Sequence, residues 1–205
     1  MRLQNPARFK SLIIHRKAGK TALSINKLIM EAMQNPKRVF WYVAPTYKQA
    51  KEIVWKDPEM LQKYLPREII DKKNDSELSV YFKNGSVLAV KGADEPDSLR
   101  GPNPAGTILD EFPLMKRQVW EEIISPIAFA NPDAWVWFVG TPKPNGAHAH
   151  QIHDTAKHKA GWFSMTLTAK DSGILPASTL AEAKSTMTEE AYEQEFMCKW
   201  FDDQG

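Results

Sequence analysis

The sequence predicts an α/β fold in which a mainly parallel sheet is flanked by helices. Five short apolar runs have the length and composition of strands, and most of them are apolar at every position, as strands buried on both faces are. Amphipathic or polar segments separate these runs, and such alternation along 205 residues is typical of βαβ units. The runs are residues 12–14, 39–44, 106–109, 134–139 and 162–167.

The first run leads into a short polar loop and then an amphipathic helix. Residues 12–21 read LIIHRKAGKT, and apolar residues then recur at helical spacing. This arrangement is typical of a phosphate-binding loop: backbone N–H groups, the helix N-terminus and the Lys20 ammonium would bind β- and γ-phosphates, and the Thr21 hydroxyl would face Mg²⁺. The first glycine of the usual pattern falls at Ile14, so the motif is partial. The alternative is a solvated basic loop that caps a helix.

The middle of the chain predicts a capped helix and a hairpin. Thr46 follows the apolar run 39–44 and is expected to cap a helix that extends to about residue 57. Residues 79–82 and 86–90 flank Lys83-Asn84-Gly85, where Asn-Gly favours a tight turn, so we expect a hairpin at a sheet edge. Four side chains of this helix are predicted to face the core: Tyr47, Ala50, Ile53 and Val54.

From about residue 175 the sequence predicts two short helices. Thr179 and Glu182 have the spacing of a capping box, and Thr188 precedes two glutamates that favour a helix N-terminus. Cys198, the one cysteine in the chain, is expected to be a small helical residue and excludes an internal disulfide framework. The second helix is predicted to bury Ala191, Tyr192, Phe196 and Trp200.

Two adjacent acids, Asp110 and Glu111, end the run at 106–109. They are predicted to lie at the C-terminal end of a buried strand, the edge at which ligands of open parallel sheets bind. There Asp110 would hold Mg²⁺, directly or through water, and Glu111 would orient and deprotonate a water that attacks the γ-phosphate. An ordinary polar strand boundary is the alternative. The pairing with an upstream Gly-Lys-Thr loop favours nucleotide hydrolysis.

Composition narrows the classes of partner without naming one. The net charge is +2 with 25% charged residues, so charge alone requires neither nucleic acid nor membrane. No run approaches the roughly 18 apolar residues of a membrane span, and the first six residues lack the apolar segment of a signal peptide. We expect a soluble, cytoplasmic chain.

Three histidines within six residues, His148, His150 and His153, raise the possibility of a zinc or nickel site. No acidic or thiol residue has a suitable spacing, and the stretch opens what reads as an exposed helix. We therefore expect a solvated helix face. Lys143 and residues 157–159 would form a basic surface near it. DNA phosphates could contact this surface, and the alternative is a surface that only keeps the chain in solution.

Four segments taken in order resemble the ATPase domain of the large terminase subunit of tailed double-stranded DNA bacteriophages. They are LIIHRKAGKT, RVFWYVAPTYKQAKEIVW, DSLRGPNPAGTILDEF and WVWFVGTPKPNG, and the resemblance runs from Leu12 to Phe201. It implies a P-loop NTPase of the ASCE (RecA-like) type that uses ATP and Mg²⁺. It also implies an ATPase core over residues 1–170 and a helical lid or linker subdomain over 171–205.

The resemblance assigns roles to phosphate-loop residues. Similar terminases replace the first glycine and carry an arginine four positions before the lysine, which is Arg16 here. Arg16 would contact the γ-phosphate, and Lys17, Ala18 and Gly19 would complete the nucleotide-binding loop. A solvated cation is the alternative for Arg16.

Two further residues take roles from the resemblance. Arg100 lies ten positions before Asp110, where similar terminases carry an arginine that acts in trans on the ATP of the neighbouring subunit. The alternative is a loop arginine that pairs with Asp94 or Asp97. Thr141, in Gly-Thr-Pro, resembles the coupling threonine that senses the γ-phosphate, and turn formation before proline is its alternative.

Two features depart from the family pattern. The adenine-contacting glutamine of the family lies before the first strand, and Gln4 is the one candidate, unusually close to the start, so adenine recognition stays open. The nuclease domain that follows in the family is absent from this chain, so we expect no DNA cleavage from it.

The resemblance also implies partners and a location. The partners are double-stranded viral DNA, a portal protein and a small terminase subunit, with a homo-oligomeric ring on the procapsid, a monomer in isolation and no membrane. The place of action would be the cytoplasm of the infected bacterial host, and the chain is not expected in the mature virion.

Two rival functions stay open from sequence. A helicase-type DNA-dependent ATPase shares the nucleotide-binding core and the acid pair, but a complete helicase of that architecture needs a second core domain, for which 205 residues leave no room. A non-catalytic, nucleotide-gated assembly module would bind ATP without turnover. Glu111 argues against such a module, because binding alone needs no carboxylate aimed at water.

Overall fold

The computed structural model describes residues 5–101 and 103–201, and the chain divides into two compact units. The central unit contains residues 21–110, apart from residue 102, and 115–136. The terminal unit contains residues 5–20, 111–114 and 137–201. Each unit carries part of the strand and helix alternation that the sequence predicts.

The central unit is built on five complete strands in the order β3-β4-β5-β2-β6. Strand β2 pairs in parallel with both β5 and β6, whereas β4 pairs antiparallel with β3 and β5. The long apolar run at 39–44 is buried from its second residue onward, as expected for a strand between two neighbours. The strands are β2 (Val39–Ala44), β3 (Ile70–Asn74), β4 (Ser79–Phe82), β5 (Val87–Gly92) and β6 (Gly106–Asp110).

The hairpin is confirmed, but its place in the sheet differs from the prediction. Gly85 adopts φ +84° in the turn between β4 and β5, which is the left-handed conformation that glycine favours. The edge position is wrong because β3 pairs with the outer side of β4. Strand β3 reads IDKKN and is mostly exposed, so it carries no apolar alternation that would reveal it in the sequence.

Four α-helices accompany the strands of the central unit. Thr46 caps the second of them as predicted, because its hydroxyl accepts the Gln49 N–H at 3.1 Å. That helix continues as a π-helix, Ala50–Trp55, whose wider turn changes the inward face, so the predicted burial of Ile53 is wrong: it is 49% exposed. The helices are α1 (Lys20–Gln34), α2 (Tyr47–Gln49), α3 (Leu61–Tyr64) and α4 (Ser125–Ala130), the last preceded by a π-helix, Val119–Ile124.

The terminal unit contains strands in the order β7-β1-β8 and four helices. Strand β1 pairs in parallel with β8, and every residue of β1 is buried. Strand β7 begins at Trp135 in the central unit and continues in the terminal one. The elements are β1 (Phe9–Ile14), β7 (Trp135–Gly140), β8 (Trp162–Leu167), α5 (Ala147–His158), α6 (Ala169–Ser172), α7 (Ala177–Thr186) and α8 (Glu189–Met197).

The C-terminal helices form a small apolar cluster of their own. Ala169, Tyr192 and Phe196 are its buried members, and residues of α7 and α8 pack against them. Thr188 caps α8 by accepting the Ala191 N–H at 3.2 Å, which confirms that prediction. The predicted capping box at Thr179 is wrong because α7 already begins at Ala177, directly after Pro176.

The end of α8 also differs from the prediction. Cys198 is not inside the helix but ends it in a left-handed conformation, and burial raises the pKa of its thiol to about 12. Trp200 lies beyond the helix and stacks on His150 with ring centroids 4.8 Å apart.

The predicted fold class is confirmed. Parallel pairing dominates around β1 and β2, and helices follow the strands along the chain. In the part of the chain that the structure describes, no helix is both long enough and apolar enough to cross a membrane.

Candidate nucleotide-binding site

The loop after β1 leads into α1 through an unusual backbone conformation. Lys17 and Gly19 adopt φ +65° and +81°, so the backbone turns through left-handed residues just before α1 begins. A Cβ added at Gly19 would meet no atom within 4 Å. The glycine is therefore required by its backbone conformation, and the space beside it is open to a ligand.

Lys20 lies inside the terminal unit and points back over the loop. Its ammonium donates to the His15 carbonyl at 3.2 Å and lies 3.7 Å from Glu111 Oε1, and the residue is only 7% exposed. A largely desolvated ammonium beside a glycine turn is suited to phosphate oxygens. The predicted proximity of the loop lysine and the second acid is therefore observed within this unit.

His15 is fully buried at the base of the loop and was not singled out from the sequence. Its Nδ1 lies 2.8 Å from the Arg16 carbonyl, and its Nε2 lies 2.8 Å from Ser172 Oγ in α6. Burial lowers the pKa of His15, and the nearby Lys20 charge lowers it further, against the raising effect of the hydrogen bond to Arg16. A neutral imidazole adds no second positive charge beneath the loop.

Thr21 and Asp110 meet within the central unit. The Thr21 hydroxyl donates to Asp110 Oδ2 at 2.9 Å, and the carboxylate is almost completely buried, at 1% exposure. The Tyr42 hydroxyl donates to the same oxygen at 2.6 Å. Sequence reasoning placed Tyr42 only in a buried strand, although a hydroxyl in an otherwise apolar run signals a need for a buried partner.

Glu111 follows β6 in an unusual conformation. Its φ is +54°, which is uncommon for a residue with a side chain and costs roughly 1–3 kcal/mol in sparsely populated regions. The side chain is one-third exposed, unlike that of Asp110. Backbone strain at an acid that is partly in solvent and faces Lys20 marks Glu111 as a candidate functional residue.

The end of β7 is tied to the end of β1. The Thr141 hydroxyl donates to the Ile14 carbonyl at 2.7 Å, and Thr141 is buried. Gly140 is required by close packing, because an added Cβ would lie 2.4 Å from Pro113 Cδ. Thr141 thus contacts the residue at which β1 gives way to the loop, a position consistent with the predicted sensing role.

Glu195 in α8 connects the loop to the C-terminal helices, a link that the sequence did not reveal. Its carbonyl accepts the Arg16 N–H at 2.8 Å, so that N–H is not among those available to phosphate. Its carboxylate pairs with Lys143, and the two side chains are 13% and 20% exposed. Lys143 therefore does not belong to the predicted basic surface.

Arg100 lies outside these contacts. Its side chain is 74% exposed, and its Nε is 3.9 Å from Asp97, whose own side chain is fully solvated. The Arg16 side chain is also exposed. Gln4, the candidate for adenine contact, lies outside the described residues.

The three histidines form neither a metal site nor a solvated face. Within residues 5–101 and 103–201, no group of three or more metal-binding side chains occurs. His148 packs edge-on against Phe112, and His153 is buried between Ser11 and Thr166, at 2.8 and 3.0 Å. Burial lowers the pKa of His153 to about 4, so it is a neutral core residue.

Each unit, taken by itself, carries donors that suit one part of a magnesium nucleotide. A lysine ammonium and an open glycine turn suit phosphate oxygens, and a threonine hydroxyl beside a carboxylate suits a hard cation such as Mg²⁺. In the terminal unit Lys20 follows the C-terminal end of β1, and in the central unit Asp110 is the last residue of β6. Ligands of parallel sheets bind at such strand ends.

Comparison with known proteins gives the family to which the chain is similar. The family model described as the N-terminal part of the terminase large subunit, T4likevirus type, matches residues 14–205. The terminase large subunits of Thermus virus P23-45 and Thermus phage G20c are 27% and 29% identical to this chain over alignments of 156 positions. The alignments cover 68% of this chain and 32% of each relative. The matched part of the chain thus spans about a third of the length of these relatives.

Solved structures show the same fold. The large terminase ATPase domain of Thermus phage P74-26 superposes with a TM-score of 0.81 at 20% identity, covering 97% of this chain and 90% of that one. The large terminase of another thermophilic bacteriophage, solved in complex with ADP, gives a TM-score of 0.72 at 20% identity, covering 95% of this chain and 48% of that one.

Proposed function

We propose that this chain, which belongs to the family of terminase large-subunit N-terminal domains, hydrolyses ATP. The hydrolysis would be part of a motor that moves double-stranded viral DNA into a procapsid. The observation that carries the proposal is a pair of contacts. Lys20 lies beside Glu111 in one unit, and Thr21 donates to Asp110 in the other. The likeness to a terminase solved with ADP supports ATP as the substrate.

The loop residues bind the triphosphate. Lys20 and the backbone N–H groups of Lys17, Ala18 and Gly19 neutralise and orient its β- and γ-phosphates. Arg16, which is exposed beside the loop, adds a cation at the γ-phosphate.

Asp110 and Glu111 have different roles in the proposed reaction. Thr21 and Asp110 would hold Mg²⁺, which would supply neutralisation of the phosphate charge when bound. Glu111 orients a water and accepts its proton as the water oxygen attacks the γ-phosphorus and the bond to the leaving ADP breaks. The partial exposure of Glu111 suits a residue that must reach solvent.

Arg100 and Thr141 would link the reaction to assembly and motion. Arg100 stabilises the transferring phosphoryl group of a neighbouring subunit, and its exposure supports a partner outside its own chain. Thr141 reports the state of the γ-phosphate to β7. Residues 171–205 act as a lid on a core of residues 1–170, and the contacts of Glu195 with Arg16 and Lys143 support a link between this lid and the loop.

The whole motor is proposed from the family. It would form a homo-oligomeric ring that acts with a portal protein and a small terminase subunit in the cytoplasm of the infected bacterium. Its substrate would be ATP with Mg²⁺.

The test is ATP hydrolysis by the 205-residue chain with Mg²⁺, with and without EDTA. Lys20→Ala and Glu111→Gln are expected to lower the rate by about 10³-fold or more, because each removes charge stabilisation or the general base. The exposed pair Lys63 and Glu59, 2.6 Å apart, provides matched controls. Lys63→Ala and Glu59→Gln should leave the rate unchanged. Intact hydrolysis in Lys20→Ala or Glu111→Gln would contradict the proposal.

A further inference from the structure

We propose that Tyr42 is a positioning residue that orients the Asp110 carboxylate for a divalent cation. The inference rests on the proposed function, because it assumes that Thr21 and Asp110 hold Mg²⁺. It adds a residue from a different strand that acts through Asp110 and does not itself touch the nucleotide.

The geometry around Asp110 carries the inference. Two hydroxyls donate to the same oxygen, Oδ2: Tyr42 at 2.6 Å and Thr21 at 2.9 Å. Tyr42 and Asp110 are 4% and 1% exposed, so little water competes for this contact. The hydrogen bond to a desolvated carboxylate is charge-assisted and therefore among the stronger ones in the chain.

The strand register explains why a tyrosine at this position reaches Asp110. Tyr42 in β2 is directly opposite Ile108 in the parallel neighbour β6. Ile108 and Asp110 are two residues apart, so their side chains share one face with Tyr42. A tyrosine is long enough to carry its hydroxyl along the strand to the carboxylate at the strand end.

The two donors differ in what a cation would do to them. Thr21 would itself be a ligand, so its oxygen must serve both the cation and the carboxylate. Tyr42 is buried in β2 and can keep the plane of the Asp110 carboxylate in one orientation while the cation binds. Residues that orient metal ligands typically change metal affinity by about 10–100-fold when they are removed.

The test measures ADP binding by calorimetry with Mg²⁺ and with EDTA. The ratio of the two dissociation constants reports how strongly the metal and the nucleotide support each other. Tyr42→Phe removes only the hydroxyl and is expected to reduce this ratio by about 10-fold, while the dissociation constant in EDTA stays unchanged. Tyr81→Phe is the matched control, because the Tyr81 hydroxyl donates to an exposed acid, Glu77, at 3.0 Å.

A second variant tests whether Tyr42 acts through Asp110. In an Asp110→Asn background, where the ratio is already reduced, adding Tyr42→Phe should cause no further loss. Such a result supports the inference, and a further loss would overturn it.

Other outcomes separate the two proposals. An unchanged ratio in Tyr42→Phe, an equal loss of affinity in EDTA, or failure of this variant to unfold cooperatively would overturn the inference and leave the proposed function standing. Absence of ADP binding by the unsubstituted chain under both conditions would overturn the proposed function, and the inference with it.

Discussion

Asp110, at the end of β6, and Arg100, which precedes this strand, differ in burial and in the contacts of their side chains. Asp110 is buried and accepts two hydrogen bonds from its own chain. The Arg100 side chain is mostly in solvent, and its Nε lies 3.9 Å from Asp97. A single chain therefore holds Asp110, the proposed metal ligand, in a fixed position, but does not hold Arg100, the arginine proposed to complete the charge clamp.

Removal of the Arg100 side chain is expected to have the largest effect, and only in assembled rings. Arg100→Ala should lower ATP hydrolysis by about 10³-fold in assembled rings and change the rate of dilute, monomeric chains little. Rates measured across a concentration series, alongside sedimentation, check both statements.

Mixed assemblies sharpen the same prediction. Combining Arg100→Ala with Glu111→Gln subunits should restore part of the activity, because an intact arginine then faces an intact acid across some subunit contacts. A loss of activity in monomers equal to that in rings would place Arg100 in its own site.

The next prediction concerns the buried His153 and the pH dependence of stability. His153 holds Ser11 of β1, the strand that carries the phosphate loop, and its pKa is about 4 in the fold against a usual value of 6.5. The unfolded chain therefore binds the proton more readily, so stability is lost as pH falls from 6.5 to about 4. We expect about 3 kcal/mol of the free energy of unfolding to disappear over this range.

Urea unfolding at about pH 7 and about pH 4 measures this effect. His153→Gln should be less stable at neutral pH but should lose about 3 kcal/mol less on acidification than the unsubstituted chain. His158→Gln, an exposed position on the same helix, is the control and should keep the full dependence. Identical pH dependence in His153→Gln would contradict the account.

The smallest effect tests the link between the loop and α8. Lys143→Met leaves a mostly buried Glu195 without its ion pair and should cost about 2 kcal/mol of unfolding free energy, less than a fully buried pair. ADP affinity should fall as well, because Glu195 also accepts the Arg16 N–H. The control, Lys199→Met, removes a more exposed pair with Glu193 and should cost less than about 1 kcal/mol. Equal costs in the two variants would argue against the link.

Much of the fold could be predicted because local sequence determines it. The apolar run at 39–44 needs no partner to be recognised, and the caps at Thr46 and Thr188 depend on side chains close in sequence. The exposed β3 and the π-helical turn that exposes Ile53 could not be predicted. Their conformations depend on neighbours that periodicity does not reveal.

Some residues of the candidate site could likewise be predicted from local sequence, and others could not. The loop lysine and the acid pair have fixed spacings within single motifs, so sequence indicated them, and the observed contacts of Lys20 and Thr21 agree. Tyr42 and Glu195 were not found from the sequence because their contacts depend on strand register and helix packing. His153 was misassigned because its burial depends on β1 and β8, whose contacts with α5 the local pattern does not reveal.

The most direct measurement of the central claim is a crystal structure of the chain with Mg²⁺ and a non-hydrolysable ATP analogue. The account predicts that the β- and γ-phosphates contact Gly19 and Lys20, that the cation is held by Thr21 and Asp110, and that Glu111 faces the γ-phosphate. A triphosphate bound elsewhere, with Lys20 still 3.7 Å from Glu111, would contradict it.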